Sequence, residues 1–288
     1  MKLLTIKTSI IAVWCFPIHA FAEALPPATS AGEQFEITTS YETTQISSHG
    51  GSSGSSNGQD TLLERVVGVS QGGLELEYDL TRDASKAERA RSWQFPARVF
   101  KPTVGPMQLL NAGDLELRLE KWLGLGKMTR EACGRWIFTW NAFRIECDPQ
   151  SVLKTIEAFD LRSFNPREGI PYRSNDARGP GILKREATET TDQAYRVDLD
   201  IEPDIVRRAH AESDVVVGEI TEKPVTLEGA LIERAKEEIS GTISVIFETN
   251  ADGGVWRRTK VTKININKPG ESAETKTAVE TVSSRRVF

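Results

Sequence analysis

The chain has 288 residues, 41 acidic against 36 basic, for a formal net charge of −5. That sign excludes a phosphate-tracking nucleic-acid surface, which shows as a basic excess or a clustered basic face. The basic pairs Arg257-Arg258 and Arg285-Arg286 stand isolated. The length supports one large domain or two smaller ones with a self-sufficient core, and no apolar run reaches the ~20 residues of a membrane-spanning helix.

Met1 to Ser9 holds Lys2, Lys7 and no acid, an apolar run follows from Ile10 to Phe16, and Ala20-Phe21-Ala22 supplies a small-x-small cleavage pattern. Basic, apolar and small in that order reads as a secretory signal peptide over 1–22. The mature chain is then expected to begin at Glu23, to be more acidic still, and to work in the periplasm or as a secreted protein. Trp14 stands where a lipoprotein acylation site wants a small residue, so Cys15 is expected to leave with the leader. No Asn-x-Ser/Thr acceptor follows Glu23, which tilts the reading toward bacterial periplasm over eukaryotic secretion.

Glu33 to Gln45 alternates, with Phe35, Ile37, Thr39 and Tyr41 on one face of a predicted strand. Ser47 to Gly58 is serine- and glycine-rich and reads as a flexible loop. Leu62–Val69 and Leu74–Leu80 resume strand character around the turn dipeptide Gly72-Gly73. Ala84–Arg91 is rich in helix formers. Asp114 is the expected cap of a helix whose stripe is Leu115, Leu119, Trp122 and Leu123.

Cys133 and Cys147 form an even pair in an exported chain, which reads first as a disulfide. Between them Trp136, Ile137, Phe138, Phe143 and Ile145 favour strand. One straight strand would hold the two Cα atoms about 46 Å apart at ~3.3 Å per residue, whereas a disulfide needs about 4.4–6.8 Å. The chain must therefore reverse near Trp140-Asn141-Ala142, giving a hairpin clamped at its ends. A redox role is disfavoured, because such cysteines stand two residues apart. Trp136, Phe138, Trp140 and Phe143 form the candidate binding surface, with aromatic core packing as the competing role.

Asp148-Pro149 is a start signal for a helix with the stripe Val152, Ile156 and Phe159. Pro166, Gly169, Pro171, Gly179, Pro180 and Gly181 break regular structure across 162–181. Ile182–Ile201 reads as a second hairpin turning near Thr191-Asp192-Gln193, and Pro203 opens a short helix to Ala211. Thr226 caps a predicted helix from Leu227 to Ile239, with Gly241 as its C′ residue. A last hairpin joins Thr242–Asn250 to Val255–Ile266 through Asp252-Gly253, placing Glu248 opposite Arg257.

Several patterns tempt a catalytic or metal assignment. Gly50-Gly51-Ser52-Ser53-Gly54 and Gly54-Ser55-Ser56-Asn57-Gly58 match G-x-S-x-G, but a nucleophile elbow needs a strand before it and a helix after it, and both lie inside the Ser/Gly tract. Asp198, Asp200, Glu202 and Asp204 offer oxygen ligands, yet they alternate with Val197, Leu199 and Ile201 as the wet face of a strand would. His210 is a lone surface histidine. Phe288 ends the chain as aromatic residues end outer-membrane barrel strands, but Arg286 and Glu280 would face lipid.

The expected fold is α+β: predominantly antiparallel β-sheet, built as a meander and hairpins, with several short helices packed on one face. It divides into the signal peptide 1–22, a β-rich region 23–165 and a hairpin–helix–helix–hairpin region 182–288 that shares or adjoins the same domain. The expected function is binding or scaffolding rather than catalysis, of an apolar or lipid-like ligand or an envelope partner, with no cofactor and no metal. Two alternatives stand: an exported hydrolase using a carboxylate pair, and an envelope assembly component that docks through its Ser/Gly loop and polar C-terminal tail.

Overall fold

The computed structural model describes residues 29–48, 53–138, 142–187, 193–270 and 273–287. Its first half forms β1 (Gln34–Ser47), β2 (Gly54–Ser70), β3 (Gly73–Leu80), α1 (Lys86–Arg91), β4 (Ala97–Pro102), β5 (Gln108–Leu109), α2 (Ala112–Leu125), β6 (Trp136–Phe138), β7 (Ala142–Arg144) and α3 (Ser151–Phe159). The second half forms β8 (Pro171–Tyr172), β9 (Gly181–Ile182), β10 (Lys184–Glu186), β11 (Gln193–Asp200), α4 (Pro203–Ile220), α5 (Leu227–Arg234), β12 (Glu238–Thr249), β13 (Val255–Asn267) and β14 (Glu274–Val287). Ten strands make one large antiparallel sheet in the order β10-β11-β12-β13-β14-β1-β2-β3-β4-β5, while β6-β7 and β8-β9 form two small sheets. The two regions read from the sequence both contribute strands, and they meet where β1 pairs with β14 from Gln34↔Val287 to Ser47↔Glu274. No described helix is long and apolar enough to cross a membrane.

Paired residues share a face of a sheet, so the register sorts the side chains. Phe35 stands beside Glu64, Glu64 beside Tyr78 and Tyr78 beside Ala97. On the other flank Thr39 stands beside Val282, Val282 beside Arg258 and Arg258 beside Phe247. We call this the inner face. It carries Ile37, Leu62, Val66, Leu74, Leu76, Tyr78 and Val99 in one core cluster, joined by Leu115, Leu119 and Leu123 of α2 and Val152, Ile156 and Phe159 of α3. A second cluster holds Val197, Leu199, Ile243, Val245 and Phe247 with Val206 of α4 and Ala177 and Leu183 of the connection after α3. Val255 packs against both clusters. The opposite face of the central strands is polar, with Glu36, Thr38, Ser40, Thr259, Lys263, Ser283 and Arg285.

Periodicity located the helices better than their ends. The stripes of α2 and α3 are buried as spaced, except that Trp122 is only partly buried. The N-cap of α2 is Asn111, however, and Asp114 lies in its first turn. Asp148 sets up α3 from outside it: its carboxylate accepts from the Gln150 amide at 2.9 Å and its carbonyl from the Ser151 amide at 2.9 Å. Thr226 caps α5, its hydroxyl accepting from the Gly229 amide at 3.1 Å. α4 runs to Ile220, beyond the expected Ala211, because Val206, Ala211 and Gly218 continue its buried stripe.

Three expectations fail because partner strands override local composition. The Ser/Gly tract is not a loop throughout: Ser47 ends β1 and Gly54–Gly58 open β2, hydrogen-bonded to β1. The Tyr41 ring covers Gly58 so closely that an added Cβ would stand 2.4 Å from Cε1. The helix expected to reach Ile239 stops at Arg234. Gly241 is not its C′ residue but lies in β12, where a Cβ would meet the Lys263 carbonyl oxygen at 2.1 Å. The polar C-terminal tail is β14, flanked by β13 and β1 near the middle of the sheet.

Three expected hairpins follow their predicted geometry in outline. Cys133 and Cys147 are bonded with their Cα atoms 5.6 Å apart, and β6 pairs with β7 as Trp136↔Arg144, Ile137↔Phe143 and Phe138↔Ala142. Most of the reversal, 139–141, lies outside the described residues, as do the signal segment 1–22 and the expected turn residues Thr191-Asp192. β10 and β11 form the second hairpin. In the β12–β13 hairpin Glu248 does oppose Arg257, with Nε and Oε2 3.7 Å apart. Its turn is longer than two residues: the Asn250 carboxamide oxygen accepts from the Gly254 amide at 2.8 Å, and Gly253 supplies a φ of 84°.

Candidate functional site

The inner face holds a groove of about 920 Å³, within the roughly 300–1,000 Å³ typical of small-molecule sites. Its floor is the inner row of the central strands: Phe35 and Ile37 of β1, Leu74 of β3, Val255 and Trp256 of β13 and Ser284 of β14. Its walls are three connections, 102–107 after β4, 160–167 after α3 and the 250–254 turn. Met107, Leu161 and Phe164 extend the apolar lining. Phe164 is itself held by Tyr172 and Phe247, at ring-centroid separations of 5.3 and 4.8 Å.

A buried ionic network lies along one side. Glu64, 1% exposed, accepts from the Tyr78 hydroxyl at 2.7 Å and from Arg162 Nε at 3.0 Å. The Arg162 guanidinium stacks 4.8 Å from the Phe35 ring centre and also donates to Thr29 Oγ1 at 3.3 Å. Asp160 accepts from the Arg162 amide at 2.9 Å and takes a hydrogen bond from both Lys101 Nζ and Ser163 Oγ. Burial, then the negative charges of Glu64 and Asp160, push the Tyr78 hydroxyl well above the ordinary tyrosine range, so it stays a neutral donor. Burial works against the Arg162 charge, but the Glu64 carboxylate outweighs it and raises the guanidinium further.

In this arrangement the buried carboxylates are tied to cations and hydroxyls. A carboxylate pair for hydrolysis needs one group free to give a proton and another free to activate water or attack. Here Glu64 is committed to Arg162 and Tyr78, Asp160 to Lys101 and Ser163, and Glu33 to Arg286 at 3.0 Å. Glu157 and Asp252 are exposed. Ser163 Oγ lies 2.6 Å from Lys101 Nζ, the spacing of a serine–lysine pair. A base must be free to take the serine proton, and this amine is engaged by Asp160.

The residues singled out from the sequence form separate groups. Cys133 and Cys147 close the β6–β7 hairpin, Trp136 and Phe138 lie on β6 and Phe143 on β7, and Trp140 falls outside the described residues. The acidic row separates onto different partners: Asp198 to Arg196 at 3.0 Å, Glu202 to Arg178 at 4.0 Å and Asp204 to Arg207. His210 Nδ1 lies 3.5 Å from the buried Glu237.

The groove residues Glu64, Lys101, Asp160, Arg162, Trp256 and Arg258 were missed by sequence reading. One signal for them existed. Glu64 falls between Leu62 and Val66 at an inner-face position of an alternating strand, and a charge there needs a buried partner. No protein-family model matches the chain, and no curated protein matches it. Among solved structures it is similar to one described as "Lipid-protein interactions in lipovitellin", at 7% identity and a TM-score of 0.40 over 89% of this chain and 25% of that one. The chain thus spans about a quarter of that chain's length, and a likeness this slight carries no argument.

Proposed function

We propose that the mature chain is an exported binding protein whose groove holds an apolar or lipid-like molecule without transforming it. The carrying observation is the groove itself, a 920 Å³ space floored by Phe35, Ile37, Leu74, Val255 and Trp256 and bordered by Glu33, Glu64 and Asp160, each paired with a cation. The buried side chains of α2, α3 and α4 join the inner-face clusters, which supports helices gathered on one face and a one-sided cradle. Export is supported by the leader pattern of 1–22 and by the Cys133–Cys147 bond, since disulfides persist in oxidising compartments. Trp136, Phe138, Trp140 and Phe143 stay within the proposal as a second contact surface. Of the two segments on which the assembly alternative relied, the C-terminal one is β14 and the Ser/Gly one contributes Ser47 and Gly54–Gly58 to strands, which leaves the groove as the better-supported site.

Titration of dodecanol into the purified full-length chain tests the reading. Binding should change tryptophan fluorescence, and Trp256→Phe should remove most of that change. Absence of any bound C12 amphiphile, together with no co-purified apolar molecule in native mass spectra, refutes it. Export is tested separately by recovering the chain from its own cells, where the mature N-terminus should be Glu23.

A further inference from the structure

We propose that the groove recognises an anionic headgroup, a carboxylate or phosphate carried on an apolar chain, with Arg258 as its anchor. This deepens the ligand-binding reading above and rests on it. Arg258 lies on the inner face of β13 between two buried neighbours, Phe247 and Val282, and lines the groove. Four other cations of the inner face and groove are matched, while Arg167 on the groove wall is exposed and has no carboxylate partner among the described residues. Lys101 has Asp160, Arg162 has Glu64, Arg286 has Glu33, and Lys260, the next inner position on β13, has Asp176 at 2.6 Å.

Arg258 has no such partner: among the described residues no carboxylate comes within 4.0 Å of its guanidinium. Among the described residues its one acceptor is the Ala158 carbonyl at 3.5 Å, in the last turn of α3. A guanidinium carries five N–H donors in a planar fork that fits two oxygens of a carboxylate or phosphate. The residue is half-buried but this hydrogen bond is exposed, so its remaining donors are open to a ligand oxyanion entering the groove. Trp256, Val255, Phe164 and Ile37 line the same groove. A cation beside these apolar side chains selects a molecule that is charged at one end and apolar at the other.

Calorimetric titration of the full-length protein with dodecanoate, dodecyl phosphate, dodecanol, acetate and inorganic phosphate, at one ionic strength, tests this. The two acids should bind about 10- to 100-fold more tightly than dodecanol, the range a charge-assisted bidentate contact supports. Arg258→Gln should bring them down to the alcohol's level while leaving dodecanol unmoved, and Arg258→Lys should keep part of the preference. Circular dichroism melts of both variants show that the fold survives, and Arg285→Gln, on the opposite face, should change nothing. The inference is overturned if the acid preference survives Arg258→Gln or is absent in the wild type. It is also overturned if acetate or phosphate alone binds as tightly as dodecanoate. Failure of dodecanol and both acids to bind at all instead overturns the groove-binding reading itself.

Discussion

Replacing Glu64 by leucine removes the acceptor shared by Tyr78 and Arg162 and leaves a guanidinium whose side chain is only 17% exposed. Its remaining side-chain contacts are Thr29 Oγ1 at 3.3 Å and the face of Phe35. Breaking a buried pair on one side costs about 3–5 kcal/mol. The residual exposure of Arg162 places this case near the lower end, about 3 kcal/mol, or about 6–12 °C in Tm for a chain of this size. Glu64→Gln keeps the volume and one acceptor oxygen and should cost less, about 2 kcal/mol. The double variant Glu64→Leu/Arg162→Met removes both charges and should return to within about 1 kcal/mol of the wild type. Urea unfolding followed by far-UV circular dichroism measures all three. A Glu64→Leu variant within about 0.5 kcal/mol of the wild type, or a double variant no more stable than the single one, would show that the network does not behave as a coupled buried pair.

Tyr78→Phe tests the same network from the alkaline side. The folded hydroxyl is raised well above 10, whereas the unfolded chain releases its proton near pH 10. Its contribution is therefore complete below about pH 10 and lost as the pH rises toward the folded value. The stability gap between wild type and Tyr78→Phe should be constant from pH 7 to 9 and shrink toward pH 11; a gap that widens refutes the assignment. Cys133→Ser/Cys147→Ser opens a loop with a sequence separation of 14 and should cost about 3 kcal/mol, with faster hydrogen exchange at Gly134 and Ile145, whose backbones bridge the loop. Unchanged exchange there would remove the clamp. Gly241→Ala sets a Cβ 2.1 Å from the Lys263 carbonyl oxygen and 2.7 Å from Ile201 Cδ1, and should cost about 2–3 kcal/mol in urea. A neutral result would mean that β12 and β13 can part there without loss.

What the sequence revealed was whatever one segment decides alone. The alternation of Phe35, Ile37, Thr39 and Tyr41 predicts β1, the stripes predict α2 and α3, and hairpin arithmetic sets Glu248 against Arg257. What it hid was decided between distant segments. Gly54 to Gly58 cannot form a strand unaided, but β1 supplies the missing ladder and the Tyr41 ring. Leu227 to Ile239 has an unbroken helical pattern, yet Glu238 onward joins β13 instead. The groove is the extreme case. Arg162 reaches Glu64 across 98 positions and Lys101 reaches Asp160 across 59. No window of sequence contains the site, and its only local trace is a glutamate on the wrong side of an apolar strand.

The β1–β14 ladder also dictates an order of events. The Arg285–Glu36 ion pair across it joins residues 249 positions apart, so β1 must wait for β14 through the synthesis of nearly all the intervening chain. Closing so long a loop is entropically slow. In the interval β1 and β13 each present an open edge, the kind that pairs with strands of other molecules. A cell that makes this protein must shield those edges until the last strand arrives. Its yield should therefore depend on holding chaperones and on low chain concentration during refolding, more than on the stability of the finished sheet.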